Sequence, residues 1–303
     1  MMGLKDVLPE IMTEFPEMGR TDIRDLKKGI DGAFKEFVRG YGEVIENFFY
    51  PLKIFLSWFE NLLLATPWPL MIGVFAILVW LGARSWVIVV GTVLTSILIG
   101  YLGMWEDMMR TLALISVSTF VCIAIGIPIG ILMSKSDRIQ GFIVPILDFM
   151  QTIPAFVYLI PVMMLLGIGK APALIAVCIY AMPPVIRLTD LGIRLVDKDV
   201  LEAADAFGAS PTQKMFRVQL PLALPNLFAG VNQTIMMALA MVVVASLIGA
   251  QGLGSNVLKA VNNQYLTLGI MNGSAIVAIA IVFDRVSQKF GKRLQKHSET
   301  VHG

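Results

Sequence analysis

The chain has 303 residues, 56% of them hydrophobic and 15% charged, with a formal net charge of +2. Soluble domains carry about 25% charged residues, so this composition excludes an ordinary soluble domain and points to a membrane chain. The near-balanced charge gives no signal for nucleic acid, and none is expected as a partner.

Residues 1–66 carry both charge signs, and residues 1–50 show no signal-peptide pattern. Positions 44–64, VIENFFYPLKIFLSWFENLLL, mix aromatic and aliphatic residues with spaced polar ones. They predict an amphipathic segment lying at the outer membrane interface. An extra span is the alternative. Glu46, Lys53 and Glu60 argue against it, since each charge costs about 2.5–3.5 kcal/mol at a helix centre.

A spanning helix needs about 20 mostly apolar residues. Runs of that kind fall at 68–83, 86–105, 109–133, 142–168, 171–187, 222–249 and 267–284, which predicts about seven helices and an all-α integral membrane protein. The layout is an extracytoplasmic tail (1–66), a leading hairpin (67–105), a core (106–287) and a C-terminal tail (288–303). The fifth run is expected to end at Pro183–Pro184. In the fourth, Pro154 and Pro161 are expected to break the hydrogen-bond ladder. Irregular backbone is tolerated only against protein or water, so this helix is expected to face the interior.

Basic residues set the orientation. Loops holding Arg84; Lys135 and Arg138; Arg187, Arg194, Lys198, Lys214 and Arg217; and the segment after the last span lie on one side. The other side holds only Arg110, Lys170 and Lys259. The first side is therefore expected to be cytoplasmic, with the N-terminus outside and the C-terminus inside. Trp68 and Trp105 then fall at outer ends, and Trp80 and Trp86 near the inner hairpin, as interfacial anchors do.

The largest loop on the basic side, 188–221, contains EAADAFGASPTQKMFRVQLP from residue 202. Asp199 is placed to cap a helix start, with Glu202 as reciprocal partner. That helix is expected to stop at Gly208 in a left-handed conformation. Ser210 then caps again, Pro211 suits the first helical position and Gln213 completes a second capping box. A further break is expected at Leu220–Pro221. Val200, Ala203, Ala204 and Phe207 form an apolar face at helical spacing. Either the chain's own membrane domain covers that face, or another protein does.

Polar groups inside spans are functional candidates. Here they are Asp148, Gln151 and Thr152 on the fourth span and Asn232, Gln233 and Thr234 on the sixth. Two roles fit them: lining a translocation path, or hydrogen bonding between helices at about 0.6–2 kcal/mol each. Met236, Met237 and Met241 fit either an adaptable gate or ordinary packing. Cys122 and Cys178 read as small buried hydrophobes, with no metal pair or disulfide expected. The only histidines, His297 and His302, lie in the C-terminal tail. GIGKAP (167–172) lacks the loop length and the hydroxyl of a phosphate-binding loop. No nucleophile-base set indicates an enzyme. A secondary transporter would call for a coupling-ion site and repeated halves, and no internal repeat is visible.

The order Glu202-Ala203-Ala204, Gly208, Val218, Leu220-Pro221 resembles the EAA loop of bacterial ABC importer permeases, with Val218 in place of the usual Ile. MQTIPAFVYLIPVMMLLGIG (150–169) and VQLPLALPNLFAGVNQTIMMALAMVVVASLIGAQGLG (218–254) are similar to the glycine betaine/proline betaine branch of these permeases. The resemblance covers roughly residues 70–288. It implies a type I ABC importer permease fold in the bacterial inner membrane. It assigns Glu202, Ala203, Ala204, Gly208, Leu220 and Pro221 to docking on a separate cytoplasmic ATPase. It places Asp148, Gln151, Thr152, Pro154, Asn232, Gln233 and Met236 as candidates for the path. No cofactor is expected in this chain, since ATP and magnesium would bind the ATPase. An external binding protein would select the solute. One loop per chain and two grooves per ATPase dimer predict a homodimer.

Overall fold

The computed structural model describes residues 17–299; the ends of both tails, 1–16 and 300–303, and with them His302, lie outside the described residues. Among the described residues every regular element is helical. Helix α1 runs unbroken over Arg20–Ala65. The chain divides into two units at Phe48 and Phe49. In the first, the rings of Phe34, Phe37 and Tyr41 follow one another along α1, with centroids 6.2 and 5.2 Å apart.

In the second unit, Leu52, Leu56, Phe59 and Leu63 recur at helical spacing and pack on the main core, where Leu56 is 2% exposed. The apolar face expected of this amphipathic segment is thus turned onto the protein. Glu60, one of the charges that argued against a further span, is 6% exposed. Its carboxylate meets Lys170 at 2.8 Å and Arg110 at 3.9 Å. A buried carboxylate is tolerated when it is paired in this way.

The chain turns by 112° after α1 into α2 (Trp68–Ala83), followed by α3 (Trp86–Tyr101). Each has 16 residues, about 24 Å of helix against a hydrocarbon core of about 30 Å. Next come α4 (Trp105–Ser134), α5 (Asp137–Thr152), α6 (Ala155–Leu166), α7 (Lys170–Ala181) and α8 (Pro183–Arg194). The loop helices α9 (Lys198–Ala206) and α10 (Pro211–Lys214) lead into α11 (Leu220–Ala245), and α12 (Leu253–Asn263) and α13 (Leu266–Glu299) close the chain.

Among the described residues four helices are long and apolar enough to cross a bilayer: α4, the α7–α8 rod, the α10–α11 rod and α13. The α1–α2 and α5–α6 pairs qualify only as bent spans, and α3 is shorter. Each of the seven expected runs is thus helical: four are long enough alone, two belong to the bent pairs and the seventh is the 16-residue α3.

Prolines account for the differences in the rods. Pro154 bends the fourth span by 99°, as expected, and Ile153 before it is extended (ψ 130°). Pro161 does not break α6, which runs past it to Leu166. Pro183–Pro184 do not end the fifth span either. Met182 stays helical at φ −72°, ψ −37°, Pro183 takes the first position of α8, and the rod continues to Arg194.

Helix α8 lies between α4 and α11 at close range. A Cβ added at Gly126 would stand 2.5 Å from Val185, and one at Gly130 would stand 2.7 Å from the Ile186 carbonyl. On the other side, a Cβ at Gly230 would be 3.1 Å from Val185 Cα, and one at Gly192 would be 2.7 Å from Asn226. In a bilayer small residues let backbones approach, which replaces the hydrophobic drive with dispersion contact.

Candidate functional site

The segment between α8 and α11 has the capped, two-helix form its sequence predicts, with one correction at its start. Asp197, not Asp199, is the N-cap of α9, and its carboxylate accepts from the Asp199 N–H at 3.0 Å. Asp199 therefore sits in the first turn, where a carboxylate favours the helix dipole. Glu202 is freed from any capping role. It is exposed, and among the described residues its side chain makes no hydrogen bond.

Gly208 ends α9 at φ +78°. Its N–H donates to the Asp205 carbonyl at 2.9 Å, and the Ala209 N–H donates to the Ala204 carbonyl at 3.0 Å. That pair of bonds is the Schellman pattern, which satisfies the last carbonyls of the helix. The second capping box is complete. Ser210 Oγ accepts from the Gln213 N–H, and Gln213 Oε1 accepts from the Ser210 N–H. Lys214 Nζ reaches both carboxylate oxygens of Asp205 at 2.7 Å and clamps α10 against α9.

The expected break at Leu220–Pro221 is absent. Residues Met215–Gln219 form a π-helical turn, and the Leu220 N–H donates to the Met215 carbonyl five residues back. One wider turn lets the chain pass Pro221, which lacks an N–H, without interrupting the rod. Among the described residues nothing buries the apolar face of α9. No residue of α9 is buried, and Phe207 is 92% exposed.

The base of this loop is held by a network that sequence reasoning missed. Arg194 donates from Nε to Asp190 at 2.9 Å, from Nη1 to Asp137 at 2.6 Å and from Nη2 to the Met133 carbonyl at 2.8 Å. Gln140 donates to the other oxygen of Asp190 at 2.6 Å. The ends of α4, α5 and α8 are thereby tied together just before the loop begins. Asp190, only 5% exposed, sits inside the α7–α8 rod. The expected end of the fifth span at residue 187 hid it. The Asp190/Arg194 spacing of four was the signal available in the sequence.

The groups expected to line a path separate into three sets. Asp148, Gln151 and Thr152 share an exposed stretch of α5. Asp148 accepts from Arg187 Nη2, a basic residue counted as belonging to a loop but lying within the α7–α8 rod. Asn232 turns toward α13 instead, and its Nδ2 donates to Asp284 at 3.1 Å, so it joins two helices. Gln233 and Met236 stay exposed on α11, whereas Thr234 and Met241 are buried. Tyr158 Oη lies 3.9 Å from Met241 Sδ, so this methionine packs. Cys122 and Cys178 are buried and free, each with its sulfur 3.7 Å from a carbonyl on the neighbouring helix.

At the other end of the bundle, Leu253 N–H donates to Thr111 Oγ1, and Asn256 donates to Asp107 and to Asn272. These bonds join α4, α12 and α13. Among the described residues no cluster of His, Cys, Asp and Glu could hold a metal ion.

A family model described as "Binding-protein-dependent transport system inner membrane component" matches residues 126–296. That range contains the whole capped loop and the rods that carry it. The chain belongs to this family. It is therefore a membrane component of a transport system. Among its relatives, the glycine betaine/proline betaine transport system permease protein ProW of Escherichia coli is 44% identical over 88% of this chain and 73% of its own length. The glycine betaine/carnitine transport permease protein GbuB of Listeria monocytogenes is 42% identical over 88% of this chain and 94% of its own. An inward-facing structure of the MetNI methionine ABC transporter shares the fold of this family member. The TM-score is 0.56 at 23% identity, covering 61% of this chain and 93% of that one.

Proposed function

We propose that this chain is the membrane subunit of an ATP-driven importer for glycine betaine-like methylammonium solutes. It works as a homodimer, takes solute from an external binding protein, and couples to a separate ATPase that binds ATP and magnesium. The observation that carries this reading is the α9 face. Val200, Ala203 and Phe207 are exposed on a helix that is rigidly capped at both ends. A capped helix whose apolar side meets neither lipid nor its own chain is built to be covered by another protein.

Glu202, Ala203 and Ala204 lie on that helix, Gly208 sets the turn after it, and Leu220–Pro221 follow the π-helical turn back into the membrane. These residues form the docking element for the ATPase. The loop end of the bundle is the cytoplasmic end, on the strength of its surplus of Lys and Arg. That places the N-terminal helix outside and the C-terminus inside. The family membership and the glycine betaine names of the relatives support the solute class.

Reconstitution tests the proposal. Uptake of glycine betaine into vesicles is expected only when the ATPase, ATP and the external binding protein are all present. Uptake driven by an ion gradient with the chain alone would overturn it. Cross-linking of the assembled complex is expected to recover two copies of this chain.

A further inference from the structure

The Asp148–Arg187 pair is not needed by the coupling loop and is poorly built as a brace. Asp148 is eleven residues past the start of α5, about 16 Å along the helix, and Arg187 is seven residues before the end of α8, about 10 Å. Both therefore lie within the depth of a hydrocarbon core about 30 Å thick. Their side chains keep 56% and 36% of their surface exposed. Charges at this depth are rare and face protein or a water-filled space. This face of α5 and α8 is thus turned away from lipid.

The hydrogen-bonding capacity of the pair is mostly unused. Arg187 donates from Nη2 to Asp148 Oδ1, the one hydrogen bond that either side chain makes among the described residues. Its Nε is enclosed and has no partner. A guanidinium has five N–H donors and a carboxylate has four lone-pair sites. The backbones beneath are nonetheless fixed. Leu147 on α5 and Val185 and Ile186 on α8 are buried in one cluster, with Met150 and Val231 packed against it. Gln151, one turn from Asp148, is exposed beside the pair.

We propose that Asp148 and Arg187 form a weak subsite for a zwitterionic solute in the translocation path. The solute carboxylate would bind Arg187 and its methylated cationic group would face Asp148, with Gln151 beside them. The inference rests on the importer reading above. The exchange conserves charge, because Arg187 trades one carboxylate for another and Asp148 trades one cation for another. In the bound state each charge again faces an opposite one, which limits the cost of holding ions in a low-dielectric region. The pair must open to admit solute, so the site binds weakly. Weak binding suits a path that must also release.

The test uses the full complex in vesicles with Asp148→Asn, Arg187→Gln and the double exchange Asp148→Arg/Arg187→Asp. The readout is labelled glycine betaine taken up per ATP hydrolysed. Both single variants are expected to lower this ratio about tenfold, the size of one lost charge contact. The exchange variant, which restores an ion pair with reversed polarity, is expected to remain low. Recovery of the wild-type ratio by the exchange variant would reduce the pair to a structural brace and overturn the proposal. An unchanged ratio in the single variants would overturn it equally, and so would their failure to assemble. If the wild-type complex itself carries no betaine, the importer reading fails instead.

Discussion

Two arginines on one helix, seven residues apart, are used in opposite ways. Arg194 directs Nε and both terminal nitrogens to Asp190, Asp137 and the Met133 carbonyl, and Gln140 completes Asp190. Arg187 makes one bond and leaves Nε without a partner. A closed polar network rigidifies the elements it joins, whereas a half-satisfied one is costly unless something else completes it. The contrast teaches that position along α8 separates scaffold from site. The closed network anchors the loop where it leaves the bundle. On the reading proposed above, the open pair belongs to the solute's path.

The comparison is broken most severely at Arg194. Arg194→Gln leaves Asp190, 5% exposed, without its cation. Loss of one partner of a buried pair costs about 3–5 kcal/mol. The variant is expected to show a large fall in melting temperature in detergent or poor recovery from the membrane. Arg187→Gln, measured alongside, is expected to melt close to wild type; equal losses would abolish the distinction between the two arginines.

Next in size is Gly130→Val, which attacks the packing that holds α8 in place. Its Cβ would stand 2.6 Å from Thr189 Cβ and 2.7 Å from the Ile186 carbonyl. Overpacking of this kind costs about 1–3 kcal/mol. The expected result is reduced thermal stability together with reduced uptake, because both arginines ride on the displaced helix.

Gly208→Val sharpens the comparison from the loop side. Nothing lies within 4 Å of an added Cβ there, so the penalty is in the backbone alone. A non-glycine residue at φ +78° costs about 1–2 kcal/mol. Expression and melting of the spans should be preserved while uptake and coupling to ATP hydrolysis fall strongly. Normal uptake at normal expression would remove the docking role of α9.

The smallest effect is expected for Lys214→Ala, which opens the clamp to Asp205. Partly exposed pairs contribute about 0.2–1 kcal/mol. The loss of coupling relative to wild type is expected to be larger at low salt than at high salt, where the wild-type pair is itself screened; a loss independent of salt would show that the ion pair is not what the clamp depends on.

The sequence by itself determined the helical class, the polar loop with its two short helices, the left-handed turn at Gly208 and the capping box of Ser210 and Gln213. These follow from local rules: apolar run length, and side chains that satisfy backbone groups within a few residues. It misplaced features whose outcome depends on neighbours. Pro183 and Pro221 were read as breaks, yet a helical Met182 and a π turn carry the rods past them. Glu60 was read as a charge against a further span, and only folding brings Lys170 to it. Asn232 fitted either a path or a bond between helices, and only the fold supplies Asp284, 52 residues away, as its partner. Arg187 was assigned to a loop, and only the packing of α5 on α8 sets it beside Asp148. Local rules decide whether a helix starts, turns or ends. Which charges meet inside the bundle is decided by residues far apart in the chain, because in a low-dielectric interior each must find a partner wherever the fold supplies one.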